Sequence, residues 1–553
     1  MKKTGAQIIL EVLLEQNVDT VFGYPGGTVL NIYDELYKYS DRINHVLTSH
    51  EQGAAHAADG YARSTGKVGV CIATSGPGAT NLVTGIATAY MDSSPIVAIT
   101  GNVATSLLGR DSFQEIDITG VTMPITKHNF IVKDIKDLAD TLRKAFQIAS
   151  TGRKGPVLVD VPKDITAQEY EYEPLTARPN DEVPMPKESN TKKAIELIKN
   201  AQKPLMYVGG GAILSEASEE IKALAEKLDI PVVCSAMGLG AFPCDNPLYV
   251  GLIGMHGVFE ANKAAHQCDT LIVCGARFSD RVAGNRAKFA PNAEIIHIDI
   301  DGAEMDKNVN SSCHLCGDLK GVLSRLVKEL EPADHAAWRA EIDDWKRPVT
   351  MPDDKNFATP QKVIETVCSM TNDDDIIVTD VGQHQMWVAQ YYKFKKPRTF
   401  VTSGGLGTMG FSMGAAIGSQ FANPDKRVVM FAGDGGFHMN LNELATMASY
   451  NLPVVMVVMN NSVLGMVRQW QKLFYQNRFS ATDPHRATDF VKVGEAFGVK
   501  SMRVTSNDEI KPTFEKAFAL GEPVLIEVCV SPDANVLPMI PPGSAHTDTI
   551  DKI

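Results

Sequence analysis

The chain has 553 residues, 44% of them hydrophobic and 22% charged, and a formal net charge of −13. This length predicts three or four domains, each able to bury its own core. The acidic balance argues against nucleic-acid and anionic-membrane partners, and no apolar run approaches the roughly 18 residues of a membrane span. Nine cysteines are too few for a disulfide framework in a chain of this length. We therefore expect a soluble, cytoplasmic, multidomain protein.

The elements begin with a predicted helix, because Ile8, Ile9, Val12 and Leu13 recur at helical spacing. Residues 18–22 follow as a short predicted strand that runs into a glycine turn. Helix, strand and glycine turn then alternate almost to the end of the chain. This alternation indicates parallel sheets that are covered by helices on both faces.

Two polar stretches interrupt the alternation, a proline-rich one without periodicity at residues 176–190 and a highly charged one at residues 331–360. Both are typical of linkers between domains. They divide the chain into a predicted first domain of residues 1–178, a middle domain of residues 190–335 and a third domain of residues 358–553.

The first and third domains contain two similar segments, residues 53–102 and 414–461. Each has a helix of small residues, a buried strand, a glycine turn, a second helix and, after a proline, another strand. All βαβ units share part of this pattern, so the likeness alone leaves a common ancestry open. We favour a duplication. The predicted fold class is α/β, with three doubly wound parallel-sheet domains, the first and third similar and the middle one Rossmann-like.

The middle domain has glycine turns at the ends of its predicted strands. Residues 204–212 are a strand that enters a triple-glycine turn, and residues 269–274 lead likewise into Gly275. Asp299 ends a further strand, where a carboxylate is suited to bind a ribose or another ligand hydroxyl. Glycine turns also close Rossmann-like units that bind no nucleotide, so these residues alone do not establish a ligand.

The third domain places polar side chains at the ends of two predicted strands. Asp434 follows the strand at residues 428–432 within a glycine turn, and Asn461 follows the strand at residues 452–459. At the carboxyl ends of parallel strands the two side chains can point at one spot. Mg²⁺ binds oxygen ligands and leaves positions for phosphates and water. The glycines and the following helix start add backbone N–H groups, so the pattern predicts a Mg²⁺–diphosphate site.

This pair of motifs resembles the signature of thiamine-diphosphate enzymes, which bind their cofactor between two similar domains. The resemblance implies that Asp434, Asn461 and the backbone carbonyl of Val463 ligate the metal. It also implies that Glu51 lies against the aminopyrimidine ring, where its proton favours the imino tautomer. The alternative for Glu51 is an exposed acid at a helix start, favoured by the helix dipole.

In the same family, Met409 holds the cofactor in its bent conformation, and further residues line the pocket. The positions implied to contact thiamine diphosphate are Tyr24, Pro25, Gly26, Glu51, Val381, Gly382, Gln383, His384, Gly407, Met409, Gly435, Gly436, Asn461, Gly465 and Met466.

Over essentially its whole length the chain resembles the large, catalytic subunit of acetohydroxyacid synthase, also called acetolactate synthase. The motifs that carry this resemblance are residues 22–27, 113–115, 126–127, 254–257, 275–278, 382–387, 404–410, 465–471 and 538–543. It implies decarboxylation of pyruvate and addition of the hydroxyethyl unit to a second 2-oxo acid, pyruvate or 2-oxobutyrate. This is the first common step of valine, leucine and isoleucine biosynthesis.

The resemblance also implies an acceptor pocket for the second 2-oxo acid, formed by Phe113, Met255, Arg281 and Trp470. A guanidinium binds both oxygens of a carboxylate, which suits Arg281 to this task. Trp470 would form a flat apolar wall, whereas without the motif core packing would be the simpler explanation. Gln114 and Lys127 are implied as catalytic residues of less defined role.

FAD is the third cofactor that the resemblance implies, beside thiamine diphosphate and Mg²⁺. The implied flavin contacts are Arg153, Gly209, Gly210, Gly211, Met255, His256, Gly275, Arg277, Arg281, Asp299, Ile300, Gly317, Asp318, Gly404 and Gly405. Ser279 departs from the family pattern, because it stands where a flavin-contacting carboxylate is common, and this puts FAD affinity in doubt.

The alternatives to this activity are an FAD-dependent pyruvate oxidase and a flavin-free, catabolic acetolactate synthase. Simple 2-oxo acid decarboxylases lack this acceptor set, and Glu51 argues against a glyoxylate carboligase. A binding role without catalysis would require every one of these motifs to be vestigial. In the family the cofactor lies between the first domain of one chain and the third domain of its neighbour. We therefore expect a homodimer or a dimer of dimers, and the resemblance further implies a small regulatory subunit.

Overall fold

The computed structural model describes residues 1–175 and 185–552. They contain three six-stranded sheets in which every strand pairing is parallel, and one two-stranded antiparallel sheet. Helices separate most successive strands and cover the sheets. The predicted α/β class with three parallel-sheet domains is confirmed.

The first domain has strands β1 Lys2–Thr4, β2 Thr20–Tyr24, β3 Asn44–Leu47, β4 Gly69–Ala73, β5 Ile96–Asn102, β6 His128–Ile131, β7 Val157–Pro162 and β8 Glu169–Glu171. Its helices are α1 Gly5–Glu15, α2 Leu30–Lys38, α3 Glu51–Thr65, α4 Pro77–Asn81, α5 Val83–Met91, α6 Ile118–Thr122, α7 Leu138–Ser150 and α8 Lys163–Ala167. The helix predicted from the spacing of its apolar residues is α1, which Thr4 and Gln7 begin with a reciprocal capping box.

The middle domain has strands β9 Pro204–Val208, β10 Val232–Cys234, β11 Tyr249–Leu252, β12 Thr270–Cys274, β13 Glu294–Asp299 and β14 Cys313–Cys316. Its helices are α9 Glu188–Asn200, α10 Gly210–Leu214, α11 Ser218–Leu228, α12 Phe259–Gln267, α13 Asp280–Ala283, α14 Leu319–Glu329 and α15 Ala336–Asp343.

The third domain has strands β15 Ile376–Thr379, β16 Phe400–Thr402, β17 Val428–Gly433, β18 Val454–Asn460, β19 Lys500–Val504 and β20 Val524–Cys529. Its helices are α16 Pro360–Met370, α17 Gln383–Tyr391, α18 Phe411–Ala422, α19 Asp434–Asn440, α20 Leu444–Ser449, α21 Gly465–Phe474, α22 Phe490–Ala496 and α23 Asn507–Leu520.

The order of the strands separates the middle domain from the other two. The first sheet runs β3-β2-β4-β5-β7-β6 and the third runs β16-β15-β17-β18-β20-β19. Counted from the first parallel strand of each domain, both orders are 2-1-3-4-6-5, as a duplication requires. The middle sheet runs β11-β10-β9-β12-β13-β14, which is the Rossmann order 3-2-1-4-5-6.

Helices α3 and α18, which correspond to one another in the two similar domains, pack together. A β-carbon on Gly414 would lie 2.6 Å from the carbonyl oxygen of Gly53, and one on Gly418 would overlap the backbone of Ala57. The similarity of the two segments aligns Gly53 with Gly414 and Ala57 with Gly418, so the contacts join equivalent positions. Glycine at such points lets the two backbones approach, and the contact joins the first domain to the third.

The segments predicted as linkers differ from simple coil where they are described. The second contains α15, whose Trp338 is 2% exposed and donates its indole N–H to the carbonyl of Pro204 at 3.0 Å. Proline and charge around this segment hide its apolar spacing, and part of it packs on the middle sheet. Of the first predicted linker, residues 176–184 lie outside the described residues. Among the helices that are described, none combines the length and the apolar character needed to span a bilayer.

Candidate active site

The polar residues predicted for the third domain lie at the carboxyl ends of β15, β17 and β18, which are neighbours in the sheet. Asn461 donates its amide N–H to Oε1 of Gln383 at 3.2 Å, and its Oδ1 accepts the N–H of Val463 at 3.2 Å. Asp434 is 4% exposed at the start of α19. Burial raises the pKa of its carboxyl to about 6. A buried carboxylate beside an amide and a carbonyl oxygen is a suitable setting for a hard cation.

His384 is one of the implied cofactor contacts and lies close to two glycines at the strand ends, Gly382 and Gly433. Its ring is within 3.3 Å of the positions that β-carbons would take on Gly382 and Gly433. The ring is buried, and its Nε2 has no hydrogen-bond partner within the described part of the chain. Burial lowers the pKa of His384 to about 4, so the ring is neutral and either nitrogen can carry the proton. A phosphate oxygen would satisfy this nitrogen, and the site therefore fits a diphosphate.

Asp380 organises these turns, although sequence reasoning missed it. It follows β15, is fully buried, and accepts the N–H groups of Val381 at 2.9 Å, Gly410 at 3.0 Å and Ser412 at 3.1 Å. A β-carbon on Gly436 would collide with its carboxylate. The only local signal is an acid at a strand end. Two of its three partners, Gly410 and Ser412, lie about 30 residues away, so the role of Asp380 was not readable from the pattern.

The loop that carries Gly407 and Met409 faces the same turns. A β-carbon on Gly407 would lie 3.9 Å from Cγ1 of Val381, and one on Gly435 would lie 3.5 Å from Cε of Met409. One on Gly465 would lie 2.7 Å from the amide nitrogen of Asn461. The structure therefore brings the predicted third-domain contacts to one place.

The first domain holds this loop from the other side. Asp92 accepts the N–H of Gly404 at 2.9 Å and of Gly405 at 2.7 Å. The buried Asp92 also pairs with Arg63 at 3.0 Å, and Arg63 donates to the carbonyl of Thr402 at 2.9 Å. Asp92 and Arg63 were not predicted as site residues, because nothing in their own sequence surroundings points to a loop of another domain.

Glu51 begins α3, and Oε2 of its side chain accepts the amide N–H of Asn81 at 3.0 Å. A β-carbon on Gly78 would lie 3.2 Å from Oε1. Asn81 is a second residue that sequence reasoning missed. Tyr24, the last residue of β2, lies in the strand beside β3 and leads into Pro25 and Gly26.

Phe113 is 87% exposed, so its side chain is not packed against the other predicted acceptor residues of the same chain. Its loop is fixed by Glu115, which accepts N–H groups from Ser112 at 2.9 Å and Arg110 at 3.3 Å. These bonds lower the pKa of the Glu115 carboxyl. Gln114 adopts a left-handed backbone with φ of 60°. The loop thus presents Phe113 outward.

Lys127 does not lie beside Glu51. It precedes β6 at one edge of the first sheet, whereas Glu51 contacts Asn81, which follows β4, three strand positions away in the sheet. Its ammonium donates to the carbonyl of Thr151 at 2.8 Å. Loss of hydration and the nearby Arg153 lower the pKa of Lys127 to about 8.

Met255, Arg281 and Trp470, three of the four predicted acceptor residues, do come together. The N–H of Met255 donates to the carbonyl of Arg281 at 2.7 Å, and one guanidinium nitrogen lies 3.4 Å from its sulfur. The guanidinium carbon lies 5.6 Å from the centre of the Trp470 ring. The carbonyl of Met255 accepts the N–H of Ile540 at 2.8 Å, so the end of the chain closes this cluster. The Arg281 side chain stays 60% exposed and available to an anion.

The predicted flavin residues of the middle domain lie at the carboxyl ends of four neighbouring strands, β9, β12, β13 and β14. The residues in question are Gly209, Gly210 and Gly211, Gly275 and Arg277, Asp299 and Ile300, and Gly317 and Asp318. A β-carbon on Gly211 would lie 2.7 Å from Cα of Gly275, so packing of the fold alone explains part of this glycine turn. Burial raises the pKa of Asp299 to about 6.

Two of the predicted flavin contacts are partly engaged within the chain. Arg153 pairs with Asp301 at 3.1 Å and Glu304 at 2.7 Å, and so joins the first domain to the middle one. Asp318 caps α14, where its carboxylate accepts the N–H of Gly321 at 3.1 Å. The Nδ1 of the buried His256 has no partner among the described residues. Of these three predicted flavin contacts, Arg153 and Asp318 therefore already have partners within the chain, whereas Nδ1 of His256 has none among the described residues.

Comparison with known proteins defines the class to which this fold and site belong. Three family models match the chain, all described as thiamine pyrophosphate enzyme: the N-terminal TPP binding domain over residues 3–121, the central domain over residues 191–326, and the C-terminal TPP binding domain over residues 380–528. The domains are in the order that the sheets indicate.

Individual relatives show which thiamine pyrophosphate enzymes the chain resembles over nearly its whole length. The chain is 48% identical to the probable acetolactate synthase large subunit of Methanocaldococcus jannaschii, over 99% of this chain and 95% of the relative. It is 47% identical to the acetolactate synthase large subunit of Corynebacterium glutamicum, over 99% and 90%. It is 43% identical to the acetolactate synthase isozyme 2 large subunit of Escherichia coli, over 99% and 100%. The chain belongs to the acetolactate synthase large-subunit family of thiamine pyrophosphate enzymes.

Proposed function

We propose that the protein is an acetolactate synthase that uses thiamine diphosphate and Mg²⁺. It decarboxylates pyruvate and joins the two-carbon unit to a second 2-oxo acid, as in the biosynthesis of branched-chain amino acids. Two pyruvate ions and one proton give one acetolactate ion and CO₂. Similarity to relatives of this name over nearly the whole chain supports the reaction.

The observation that carries this proposal is the cluster of Met255, Arg281 and Trp470. A simple decarboxylase releases its product and needs no site for a second carboxylate, whereas a carboligase must hold an acceptor. Arg281 offers an exposed guanidinium beside the apolar faces of Met255 and Trp470. This combination suits a short 2-oxo acid, whose carboxylate and alkyl group need different partners. An FAD-dependent pyruvate oxidase is not favoured.

The residues of the third domain suit a Mg²⁺-bound diphosphate. Asp434, Asn461 and the carbonyl of Val463 would hold the ion, while His384 and the N–H groups at Gly435 and Gly436 would hold phosphate oxygens. When bound, thiamine diphosphate supplies the electron sink for decarboxylation. Glu51 would hold a proton at the aminopyrimidine, and Asn81 would orient its carboxyl group. Met409 would support the cofactor within the pocket.

FAD belongs to the same proposal. The Rossmann strand order, the buried Asp299 and the unpartnered Nδ1 of His256 suit a flavin nucleotide at the carboxyl ends of the middle strands. Ser279 provides a hydroxyl where a carboxylate is common. We expect this difference to weaken FAD binding without preventing it.

We further propose a homodimer or a dimer of dimers in the cytoplasm. Phe113 is highly exposed, and a neighbouring chain that brings its third domain to this loop would complete the acceptor pocket. The relatives are named large subunits, which supports a small regulatory subunit as an additional partner.

Anaerobic incubation of the purified protein with pyruvate, Mg²⁺ and thiamine diphosphate, with and without FAD, tests the reaction. We expect acetolactate and CO₂ in equal amounts, without net reduction of flavin. Acetate together with reduced flavin would identify an oxidase, and acetaldehyde alone would identify a decarboxylase. If activity required added FAD, this would indicate that the protein binds FAD weakly, as expected from Ser279.

A further inference from the structure

The first and third domains each contain a buried bridge between an asparagine amide and a carboxylate. In the third domain Asn460, the last residue of β18, donates its Nδ2 to Oε1 of Glu527 on β20 at 2.7 Å. In the first domain Asn102, the last residue of β5, donates its Nδ2 to Oδ2 of Asp160 on β7 at 2.5 Å. Both acids are almost fully buried, Glu527 at 3% and Asp160 at 1% exposed.

The two bridges occupy equivalent places in the two sheets. Glu527 lies opposite Val458, and the asparagine stands two residues further along the same strand. Asp160 lies opposite Thr100, and its asparagine again stands two residues further along. The same contact is therefore built at the same position of both domains, although the acid is a glutamate in one and an aspartate in the other.

In the third domain the bridge supports the loop that follows β18. Oδ1 of Asn460 accepts the backbone N–H of Ser462 at 3.0 Å. The same oxygen also accepts the hydroxyl of Ser462 at 3.3 Å. Ser462 has a left-handed backbone with φ of 58°, which L-residues other than glycine rarely adopt. It stands between Asn461 and Val463, so its conformation sets the directions of both neighbours.

Glu527 determines which way the Asn460 amide faces. An asparagine amide has a donor side and an acceptor side, and the loop needs the acceptor side at Ser462. The carboxylate accepts only, so it holds the donor side toward β20 and leaves the oxygen for the loop. Glu527 is held in turn by Arg503, whose Nε lies 2.8 Å from Oε2.

We propose that Glu527 is a positioning residue for the metal-binding loop, and that it acts through Asn460 to orient Asn461 and the carbonyl of Val463 toward Mg²⁺. This inference rests on the proposed Mg²⁺-bound diphosphate site. Neither Glu527 nor Asn460 touches the ion. Their effect is to preorganise the two ligands that the loop supplies.

The test is binding of thiamine diphosphate, measured by isothermal titration calorimetry on the full-length protein over a range of Mg²⁺ concentrations. Glu527 accepts one hydrogen bond from Asn460 and one from Arg503. In Glu527→Gln the NH₂ group of the new amide must face one of these two donors, so one of the two hydrogen bonds is lost. We expect the Mg²⁺ concentration for half-maximal binding to rise about 10- to 100-fold, as for other residues that orient metal ligands. Glu527→Asp, which copies the acid of the first domain, should restore part of this loss.

Asn460→Ala is the second variant, because it leaves the Glu527–Arg503 pair in place. We expect it to match Glu527→Gln, and the double variant should be no worse than either single one, since both act through one contact. The control is Asp160→Asn, which alters the equivalent bridge of the first domain and should keep the wild-type Mg²⁺ midpoint.

A wild-type Mg²⁺ midpoint in folded Glu527→Gln and Asn460→Ala would overturn the positioning role. Additive losses in the double variant would overturn the path through Asn460. A wild-type protein that binds no thiamine diphosphate at any Mg²⁺ concentration would instead overturn the proposed function, and the inference with it.

Discussion

The first and third domains share one strand order and meet through α3 and α18, yet the groups at their strand ends differ. Gly69 begins β4 and Val428 begins β17, and each pairs with the start of the next strand in its sheet. Ser75 lies six residues after Gly69, and Asp434 lies six residues after Val428, so the two residues are equivalent in the two domains. Likewise Val103 follows the bridging asparagine of the first domain, where Asn461 follows that of the third.

This comparison places the two proposed metal ligands on a frame that both domains share. The bridge of Asn102 and Asp160 remains where no metal ligand is present, so the bridge belongs to the frame. The first domain offers Glu51 instead, at the start of the helix that packs on α18. Under the proposed function, the first domain would supply a proton-holding group and the third a phosphate and metal site, so that one cofactor would engage both domains.

The largest effect should follow from Glu51→Gln, which removes the proposed proton from the first-domain side. We expect turnover to fall by about 10²- to 10⁴-fold, the usual contribution of a positioned acid or base. Binding of thiamine diphosphate should persist, because the third domain holds the diphosphate. Acetolactate formation and calorimetric cofactor binding measure the two properties. Glu169→Gln, an exposed acid on β8, is the control, and unchanged turnover of Glu51→Gln would remove Glu51 from the mechanism.

Asp434→Asn tests the metal side of the comparison against its counterpart, Ser75→Ala. Loss of a ligand charge should weaken Mg²⁺-dependent binding of thiamine diphosphate by at least about 100-fold. Ser75 is buried, and its hydroxyl makes no hydrogen bond within the described residues, so its variant should keep wild-type Mg²⁺ dependence. Equal Mg²⁺ requirements in the two variants would contradict the division of labour between the domains.

Arg281→Ala tests the middle domain, whose Arg281 is proposed to bind the carboxylate of the acceptor. A lost hydrogen bond to a charged group is worth about 1.5–3 kcal/mol, so the acceptor concentration for half-maximal acetolactate formation should rise about 10- to 100-fold. Decarboxylation, followed as CO₂ release, should change much less. The exposed Arg286 nearby provides the control Arg286→Ala. If both steps fell by the same factor, Arg281 would not be an acceptor residue.

Asp160→Asn should have the smallest effect on activity. Its expected effect is on the free energy of unfolding, whose dependence on pH should differ from that of wild type. Burial raises the pKa of folded Asp160 from an ordinary 3.8 to about 7. Between these values the folded protein binds more protons than the unfolded chain, so the free energy of unfolding falls as pH rises, by roughly 4 kcal/mol in total. Asparagine has no charge to bury, so the melting temperature of the variant should rise relative to that of wild type between about pH 4 and about pH 7 and stay level above it.

Glu527→Gln is the counterpart of that measurement. Glu527 is paired with Arg503, a cation that the first domain replaces with Ile131 opposite Asp160. Glu527→Gln would break this ion pair, so we expect its melting temperature to fall below that of wild type, in contrast to Asp160→Asn. Parallel pH profiles of wild type and Asp160→Asn would show that the aspartate is ionised throughout this range.

Much of the fold follows from local pattern. The alternation of apolar strands, helices and glycine turns predicts three parallel-sheet domains, and strand ends place Asp434 and Asn461 at one edge. The segment at residues 331–360 was predicted as a linker without naming a helix, and it contains α15, because proline and charge around it conceal the apolar spacing of Trp338 and Ile342. The assignment of individual cofactor contacts, by contrast, depends on resemblance and stays a proposal.

The sequence by itself determined the order of the elements, the similarity of two domains and the residues that end their strands, because these depend on spacing along the chain. Only the tertiary structure decided which buried groups support them. Asp380 holds the loop at Gly410 and Ser412, Asp92 binds a loop of another domain, and Glu527 accepts the amide of Asn460 across a strand pairing. Each of these contacts joins residues far apart in sequence, and a carboxylate reveals its role only when the register of the sheet and the packing of the domains bring its donors within hydrogen-bond distance.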